Sequence, residues 1–260
     1  MDTLEDIAVA REKGIEFVDI FHDTNDIHKS GGVVQGMHLA ALTLKSSWDF
    51  FKVDPYAYMH KLDIKFKSLT SYDEILSIKH QNGFHDNGDV SILSSGYNYK
   101  PDKKEFIEML RRCSRKPPVQ PARENIDSYF IYKTGIQGKF RKFKENLKMK
   151  PFLSNSSHTK EFFLSCFVAG ALCEYINPNT LPSGKVAVWA KQEFNFYGLP
   201  KTDVDDMGDM TIALNKTRDT DRIVIIKEHF YIENSEIIDG TSILFKEEKS
   251  KIMPYETKGS

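Results

Sequence analysis

The sequence predicts an α+β protein made of two successive units, each a long buried helix laid against an antiparallel sheet. Three observations predict it. Two apolar, small-residue-rich stretches with helical spacing lie at 33–51 and 161–176. Each follows a strand-like run and precedes at least three short β-like runs. The 260 residues, 40% hydrophobic and 28% charged, suffice for one large domain or two units of roughly 130 residues with a real core.

In the first unit, residues 4–13 read as a short charged helix. Ile15-Glu16-Phe17-Val18-Asp19-Ile20-Phe21 alternates in part, as a half-buried strand does. A polar, turn-forming stretch runs from His22 to Gly32. Gly36, Met37, Ala40, Ala41, Leu44, Trp48 and Phe51 then recur at helical spacing, which predicts a helix buried against a sheet. Strands are expected at 61–66, 74–80 and 90–97, with Gly83, Asn87 and Gly88 marking the last turn. In the middle, 103–112 reads as a short helix, and Pro117-Pro118-Val119-Gln120-Pro121 prevents regular structure. The order of elements then repeats. A strand at 128–132 and a basic excursion at 139–150 lead to the second helix, which has Ala169-Gly170-Ala171 at its centre. Strands follow at 186–190, 210–214, 222–226 and 242–245. The expected organisation is a first unit over 1–100, a basic Pro-rich connection over 101–125 and a second unit over 126–260.

Composition excludes several classes of function. No run of ~18 uncharged apolar residues appears, so no membrane span is expected. The acidic start Met1-Asp2-Thr3-Leu4-Glu5-Asp6 lacks the apolar core of a signal peptide. Cys113, Cys166 and Cys173 cannot all pair and match no zinc spacing, which suits a reduced, cytoplasmic setting with buried thiols. The net charge of −1 hides an asymmetry: from Lys100 to Lys150 there are fifteen Lys and Arg against six Asp and Glu. Such a segment is either a solvated linker or a surface for an anionic partner. No motif that reads nucleic acid accompanies it, so no nucleic-acid partner is expected. A phosphate-bearing ligand or an acidic carrier protein suits it as well.

The stretch from Phe21 to Met37 carries the chemistry. Asp23 and His28 stand five residues apart in a loop, and Gly36 opens the buried helix. A carboxylate and an imidazole together can hold a water and take its proton. Unpaired amides at a helix start can polarise a carbonyl oxygen, and Gly36 lets a substrate approach closely. Asp23, Asn25 and Asp26 are also ordinary turn and capping residues, and a loop histidine is often only a surface group. The joint spacing of Asp23, His28 and Gly36 favours chemistry. His38, inside the helix, reads as a core or pocket-lining group. His22, Asp23, Asp26 and His28 match no metal-ligand motif, so no metal is expected. In the second unit Asn155-Ser156-Ser157-His158 precedes the helix without a carboxylate five residues earlier. That unit is expected to complete the sheet and wall the pocket, with Cys166 and Cys173 as inert packing.

The order Asp23-x-Asn25-x-x-His28 followed by Gly36-Met37-x-Leu39-Ala40 resembles the MaoC-like (R)-specific enoyl-thioester hydratases and dehydratases of the hot-dog superfamily. Where that family has a proline, this chain has Asp26. Gln35 replaces the histidine before the glycine, and the segment between His28 and Gly36 is shorter. The resemblance implies a double hot-dog: two antiparallel sheets, each wrapped round a long central helix. It implies Asp23 and His28 as the acid/base pair, Gly36 as the donor to the thioester oxygen, and Asn25, Gln35 and Met37 as supporting substrate-site residues. The implied reaction interconverts enoyl and 3-hydroxyacyl thioesters without a cofactor, the CoA or phosphopantetheine entering as part of the substrate. The same loop also resembles hot-dog thioesterases, and a non-catalytic acyl-thioester binder is the third possibility. The partner is then acyl-CoA or an acyl carrier protein, and the chain a monomer or homodimer. The basic residues expected to attract that partner's negative charge are Arg111, Arg112, Arg115 and Lys116, then Lys139, Arg141, Lys142 and Lys144.

Overall fold

The structure, a computed structural model, describes residues 4–30, 32–51, 57–84, 89–98, 104–122, 125–126, 128–150, 156–176, 181–199 and 203–252. Gly31, the Asn87-Gly88 turn, Lys103 and Asn155 lie outside the described residues. The chain begins with strand β1 (Leu4–Ala8), helix α1 (Arg11–Ile20), the single turn α2 (Asp26–Lys29) and the long helix α3 (Gly36–Phe51). Four strands follow: β2 (Tyr58–Phe66), β3 (Ile75–Phe84), β4 (Val90–Asn98) and β5 (Glu105–Ser114). The second series is β6 (Phe130–Gly135), α4 (Lys139–Asn146), α5 (Ser157–Ser165) and α6 (Val168–Tyr175). It continues through β7 (Lys185–Phe196), β8 (Asp209–Asp219), β9 (Ile223–Ile232), β10 (Ser235–Glu248) and the short α7 (Lys249–Ile252). None of the helices among the described residues is long and apolar enough to cross a membrane.

The ten strands among the described residues form one antiparallel sheet in the order β1-β3-β4-β5-β2-β7-β10-β9-β8-β6. Read outward from the centre, the two halves mirror each other: β2, β5, β4, β3, β1 on one side and β7, β10, β9, β8, β6 on the other. The expected two sheets therefore meet edge to edge. In the central β2–β7 ladder Leu62 faces Phe194 and Asp63 faces Glu193. Pairing these edges satisfies backbone groups that would otherwise stand open. The run Lys61-Leu62-Asp63-Ile64-Lys65-Phe66 of β2 has its counterpart in Lys191-Gln192-Glu193-Phe194-Asn195-Phe196 of β7. Each central strand holds its own ion pair, Lys61 with Asp63 and Lys191 with Glu193.

Helix α3 lies where its apolar stripe requires. Met37, Ala40, Ala41, Leu44 and Trp48 are buried, and the helix packs on β3, β4 and β5. Six phenylalanines join the helices of the two halves. Phe21 of the first half meets Phe163 at 5.7 Å and Phe167 at 5.0 Å, and Phe17 meets Phe143 at 6.1 Å. Phe140 closes the group at 5.0 Å from Phe163. Such pairs add about 0.5–1.5 kcal/mol each beyond the area they bury.

Four expectations for the elements are corrected. Residues 4–8 form strand β1, not a charged helix, because pairing with β3 (Ile7 opposite Leu76) outweighs a weak local preference. Residues 11–20 form a helix, not a strand at 15–21. Gly14, Phe17, Val18 and Phe21 are buried at the spacing of one helical face. Residues 105–114 form β5 between β4 and β2 where a helix was expected over 103–112, so this part of the 101–125 stretch belongs to the sheet. Its inward set is Ile107, Met109, Arg111 and Cys113, and an arginine in that row hides the period of two. The single helix expected at 161–176 is two helices, broken at Cys166–Phe167.

Candidate active site

A cavity of about 600 Å³ opens between the two halves. Its lining comes from the 23–28 loop and Gly36 on one side, and from α6, β7 and β10 on the other. This is the size and mixed lining of a small-ligand site.

The end of α1 places the acid. The Asp23 N–H bonds Val18 O at 3.1 Å and the His22 N–H bonds Asp19 O at 3.4 Å. These two bonds make a Schellman-type helix end, and it needs a left-handed residue between them. His22 supplies it at φ 55°, a position usually given to glycine. Asp23 emerges buried, at 2% exposure, with its carboxylate turned inward. Oδ1 accepts from the Asn25 N–H at 2.9 Å and from the Cys173 thiol at 2.9 Å. Oδ2 accepts from Gln35 Nε2. Donors from three segments thus fix both oxygens of one carboxylate.

Asn25 then starts the turn that carries the base. Its Oδ1 caps α2 by accepting from the Ile27 N–H at 3.3 Å. His28 follows in α2, 6% exposed, with Nδ1 3.0 Å from Val33 O. A carbonyl oxygen can only accept, so Nδ1 carries a proton in every state and Nε2 is the nitrogen free to exchange one. His28 Nε2 lies 3.6 Å from Asp23 Oδ2. The turn is held from below by Tyr72, whose hydroxyl donates to His28 O at 2.9 Å. Burial pushes the Tyr72 phenol up to about 12, so it stays a donor. Gly14 makes room for that ring, since a Cβ there would lie 2.0 Å from Tyr72 Cε1.

Gly36 is the first residue of α3 and lines the cavity, where the first amides of a helix have no intrahelical acceptor. Its missing side chain lets the Phe66 ring pack close, since a Cβ would meet that ring at 3.0 Å. Gln35 is fully buried behind it, and Met37 is packed in the core away from the cavity lining. His38 stacks on Phe17 at 4.3 Å, and burial drives its pKa down to about 3, so it is a neutral core group. Among the described residues no three His, Cys, Asp or Glu side chains gather as metal ligands would.

Cys173 is the site residue that sequence reasoning missed. It belongs to α6 of the second half, lines the cavity and donates to Asp23. Burial first, and the neighbouring carboxylate second, hold its thiol pKa well above the usual value, so it remains a protonated donor. Gly170 brings it there. A Cβ at Gly170 would lie 2.3 Å from Phe21 O, so α6 rests directly on the backbone that leads into Asp23.

The eight basic residues expected near the substrate lie elsewhere, and none of them lines the cavity. Arg111 is buried on the inner face of β5, its guanidinium 5.6 Å from the Trp48 ring. Arg112, Arg115 and Lys116 are exposed at and beyond the end of the same strand, and Arg141 and Lys142 on α4. Lys144 packs over Phe140 at 4.3 Å. Lys139 comes nearest, donating to His22 Nε2 at 2.6 Å, and burial lowers its pKa. The lysines that do line the cavity are Lys67, Lys185, Lys249 and Lys251.

No protein-family model matches the chain, and no curated protein matches it significantly. Solved structures do. A MaoC domain protein from Chloroflexus aurantiacus superposes with a TM-score of 0.63 at 8% identity, over 95% of each chain. A MaoC-like dehydratase matches at 0.59 and 8%, over 94% of this chain and 97% of its own. An acyl-CoA thioesterase II from Mycobacterium marinum matches at 0.58 and 9%, over 95% and 94%. The chain has the fold of these hot-dog proteins along nearly its whole length, and at such identities the likeness speaks for the fold.

Proposed function

We propose that the chain is two hot-dog units fused in one polypeptide, and that its cavity hydrates enoyl thioesters or dehydrates 3-hydroxyacyl thioesters. The observation that carries the reading is the pair His28 Nε2 and Asp23 Oδ2, 3.6 Å apart beside Gly36 on the cavity wall. With Nδ1 bound to Val33 O, His28 Nε2 is one acceptor, and the Asp23 carboxylate offers another. One water can donate a hydrogen bond to each and give up one proton to the pair. In hydration its oxygen bonds to the β-carbon of the enoyl group while one proton passes to the pair. The π electrons move onto the thioester oxygen, where the Gly36 amide can stabilise them. The α-carbon then takes a proton back, so one water is added in all. Dehydration is the same path reversed, and the resemblance of the loop implies the (R)-hydroxy product.

The thioester carrier is CoA or a carrier-protein phosphopantetheine. Lys185, Lys249 and Lys251 along the cavity suit its phosphates. Thioester hydrolysis is the second reading, favoured by the likeness to an acyl-CoA thioesterase. Crotonyl-CoA and longer enoyl-CoAs separate the two. Loss of enoyl absorbance without release of free thiol supports hydration, and thiol release supports hydrolysis. Neither signal, with wild-type protein and both substrates, removes the enzymatic reading.

A further inference from the structure

Strand β7 carries an irregularity that has nothing to do with the Asp23–His28 pair. Along β7 and β10, Ser242 faces Gln192 and Ile243 faces Lys191, but Leu244 faces Trp189. Ala190 is the extra residue of a β-bulge. A bulge reverses which side of the sheet the next side chain takes. Trp189 therefore shares the inner face with Gln192 and Ser242, and its ring lines the cavity.

The indole is held there by a buried polar ring. Trp189 Nε1 donates to Ser242 Oγ at 3.2 Å. Ser242 Oγ also contacts Gln192 Oε1 and Glu228 Oε1, and Gln192 Nε2 donates to Glu228 Oε2 at 2.8 Å. Ser242, Gln192 and Glu228 are all fully buried. A serine has one proton to give, yet two acceptors face it. The ring closes if Glu228 is protonated: Glu228 donates to Ser242, Ser242 to Gln192, and Gln192 back to Glu228. Ser242 Oγ is then left to accept the indole N–H as well. Burial, which pushes the Glu228 carboxyl up to about 8, agrees with this count of protons. Gly240 leaves space for the carboxyl, since a Cβ there would lie 2.7 Å from Glu228 Oε2.

Trp189 is also joined to the reacting end of the site. Its ring centroid is 6.2 Å from that of Phe66, and Phe66 lies against Gly36. The wall thus runs from the α3 amide through Phe66 to the indole, with apolar Leu172, Ile176 and Leu244 also lining the cavity. A tryptophan placed by a bulge and fixed by a neutral buried ring is a rigid surface. An acyl chain is what such an apolar wall would measure.

Resting on the acyl-thioester reading above, we infer that Trp189 is a specificity-determining residue that sets the acyl-chain length the cavity accepts, and that Ser242 positions it. The test uses binding as well as turnover. Saturated butyryl-, octanoyl- and palmitoyl-CoA have no double bond to hydrate, so they report binding alone under a hydratase; titration calorimetry measures their affinities in wild type and every variant, and intrinsic fluorescence shows whether Trp189 meets the ligand. The chain has two tryptophans, and Trp48 is buried against Arg111 away from the cavity lining. Acyl-CoA should therefore change the emission of wild type and not of Trp189→Phe. Trp189→Ala should raise the ratio of long- to short-chain affinity about tenfold, within the range that a few methylenes in an apolar pocket can produce. Ser242→Ala should shift the ratio the same way by less, and Ser242→Thr, which keeps the hydroxyl, should restore it, which a merely structural loss of stability would not explain. If wild type binds acyl-CoA and Trp189→Ala keeps the wild-type ranking, Trp189 does not set chain length. If wild type binds none of the three, the acyl-thioester reading falls and this inference falls with it.

Discussion

The two halves share a strand order but not a helix layer. In the first half α3 runs unbroken for 16 residues, and the loop before it carries Asp23 and His28. In the second half the layer is split into α5 and α6, and His158 before the split contacts Ala57 O outside the cavity lining. Glu161 in α5 is buried, and burial holds its pKa well above the usual range. Yet α6 reaches across, rests Gly170 on Phe21 O and gives Cys173 to Asp23. The difference teaches a division of labour. One half keeps the Asp23–His28 loop, and the other supplies a wall and a clamp for it.

The sharpest way to break this comparison is to remove the chemistry from the first half alone. Asp23→Asn and His28→Ala should each lower turnover by about 10²–10⁴-fold, with circular dichroism unchanged. His158→Ala should leave the rate within a few-fold. Equal losses from His158 and His28 would mean that the halves are not divided as described.

Next comes the contact between the halves. Alanine usually stabilises a helix interior relative to glycine by up to ~1 kcal/mol. At Gly170 the added methyl would press on Phe21 O, so Gly170→Ala should instead destabilise by about 1–3 kcal/mol. Thermal melts should show a fall of several degrees, together with reduced turnover.

Cys173 tests the clamp itself. Cys173→Ala deletes one donor to Asp23, and a lost hydrogen bond to a charged group costs about 1.5–3 kcal/mol, or roughly ten- to a hundredfold in rate. Cys173→Ser keeps a donor and should recover part of the loss. A rate that ignores both substitutions would show Cys173 to be packing only.

Glu228 gives an effect of another kind, one that depends on pH. Its folded pKa is raised to about 8 from an ordinary 4.5. Between those values the folded state holds a proton that the unfolded state has lost. This contribution is therefore complete below about 4.5 and declines as pH rises through about 8. At ~1.4 kcal/mol per pKa unit it amounts to a few kcal/mol. Glu228→Gln should flatten the fall in melting temperature between pH 5 and pH 9 that wild type shows, a window on the order of that expected from linkage.

The smallest effect concerns the surface charges. Reversing Arg112, Arg115, Lys116 and Lys142 should change the KM for a CoA thioester by only a few-fold, through long-range attraction. The change should vanish at high salt, because none of the four lines the cavity.

What was legible in the sequence follows the range of the interaction. Asp23, Asn25, His28 and Gly36 were readable because one turn and one helix start bring them together, and local spacing encodes local geometry. Helix α3 and most strands were readable from their buried periodicity. Helix α1 was not, because its buried set, Phe17, Val18, Ile20 and Phe21, fits alternation in part as well as a helical face. Strand β5 was hidden by Arg111, a charge on an inward position. Cys173 lies 150 residues from its carboxylate, and a thiol in an apolar helix reads as packing until the fold brings it to Asp23. The basic stretch read as one surface, but the fold divides it between β5 and α4.

The ladder between β2 and β7 has a further consequence, for behaviour on dilution. A site shared by two separate chains weakens as protein concentration falls, because its halves must find each other. Here the complementary edge, and with it the thiol that clamps Asp23, is tethered in the same polypeptide, where effective concentrations are on the order of millimolar. The clamped carboxylate therefore stays assembled at any enzyme concentration, and specific activity should be constant down to the lowest concentration an assay can follow.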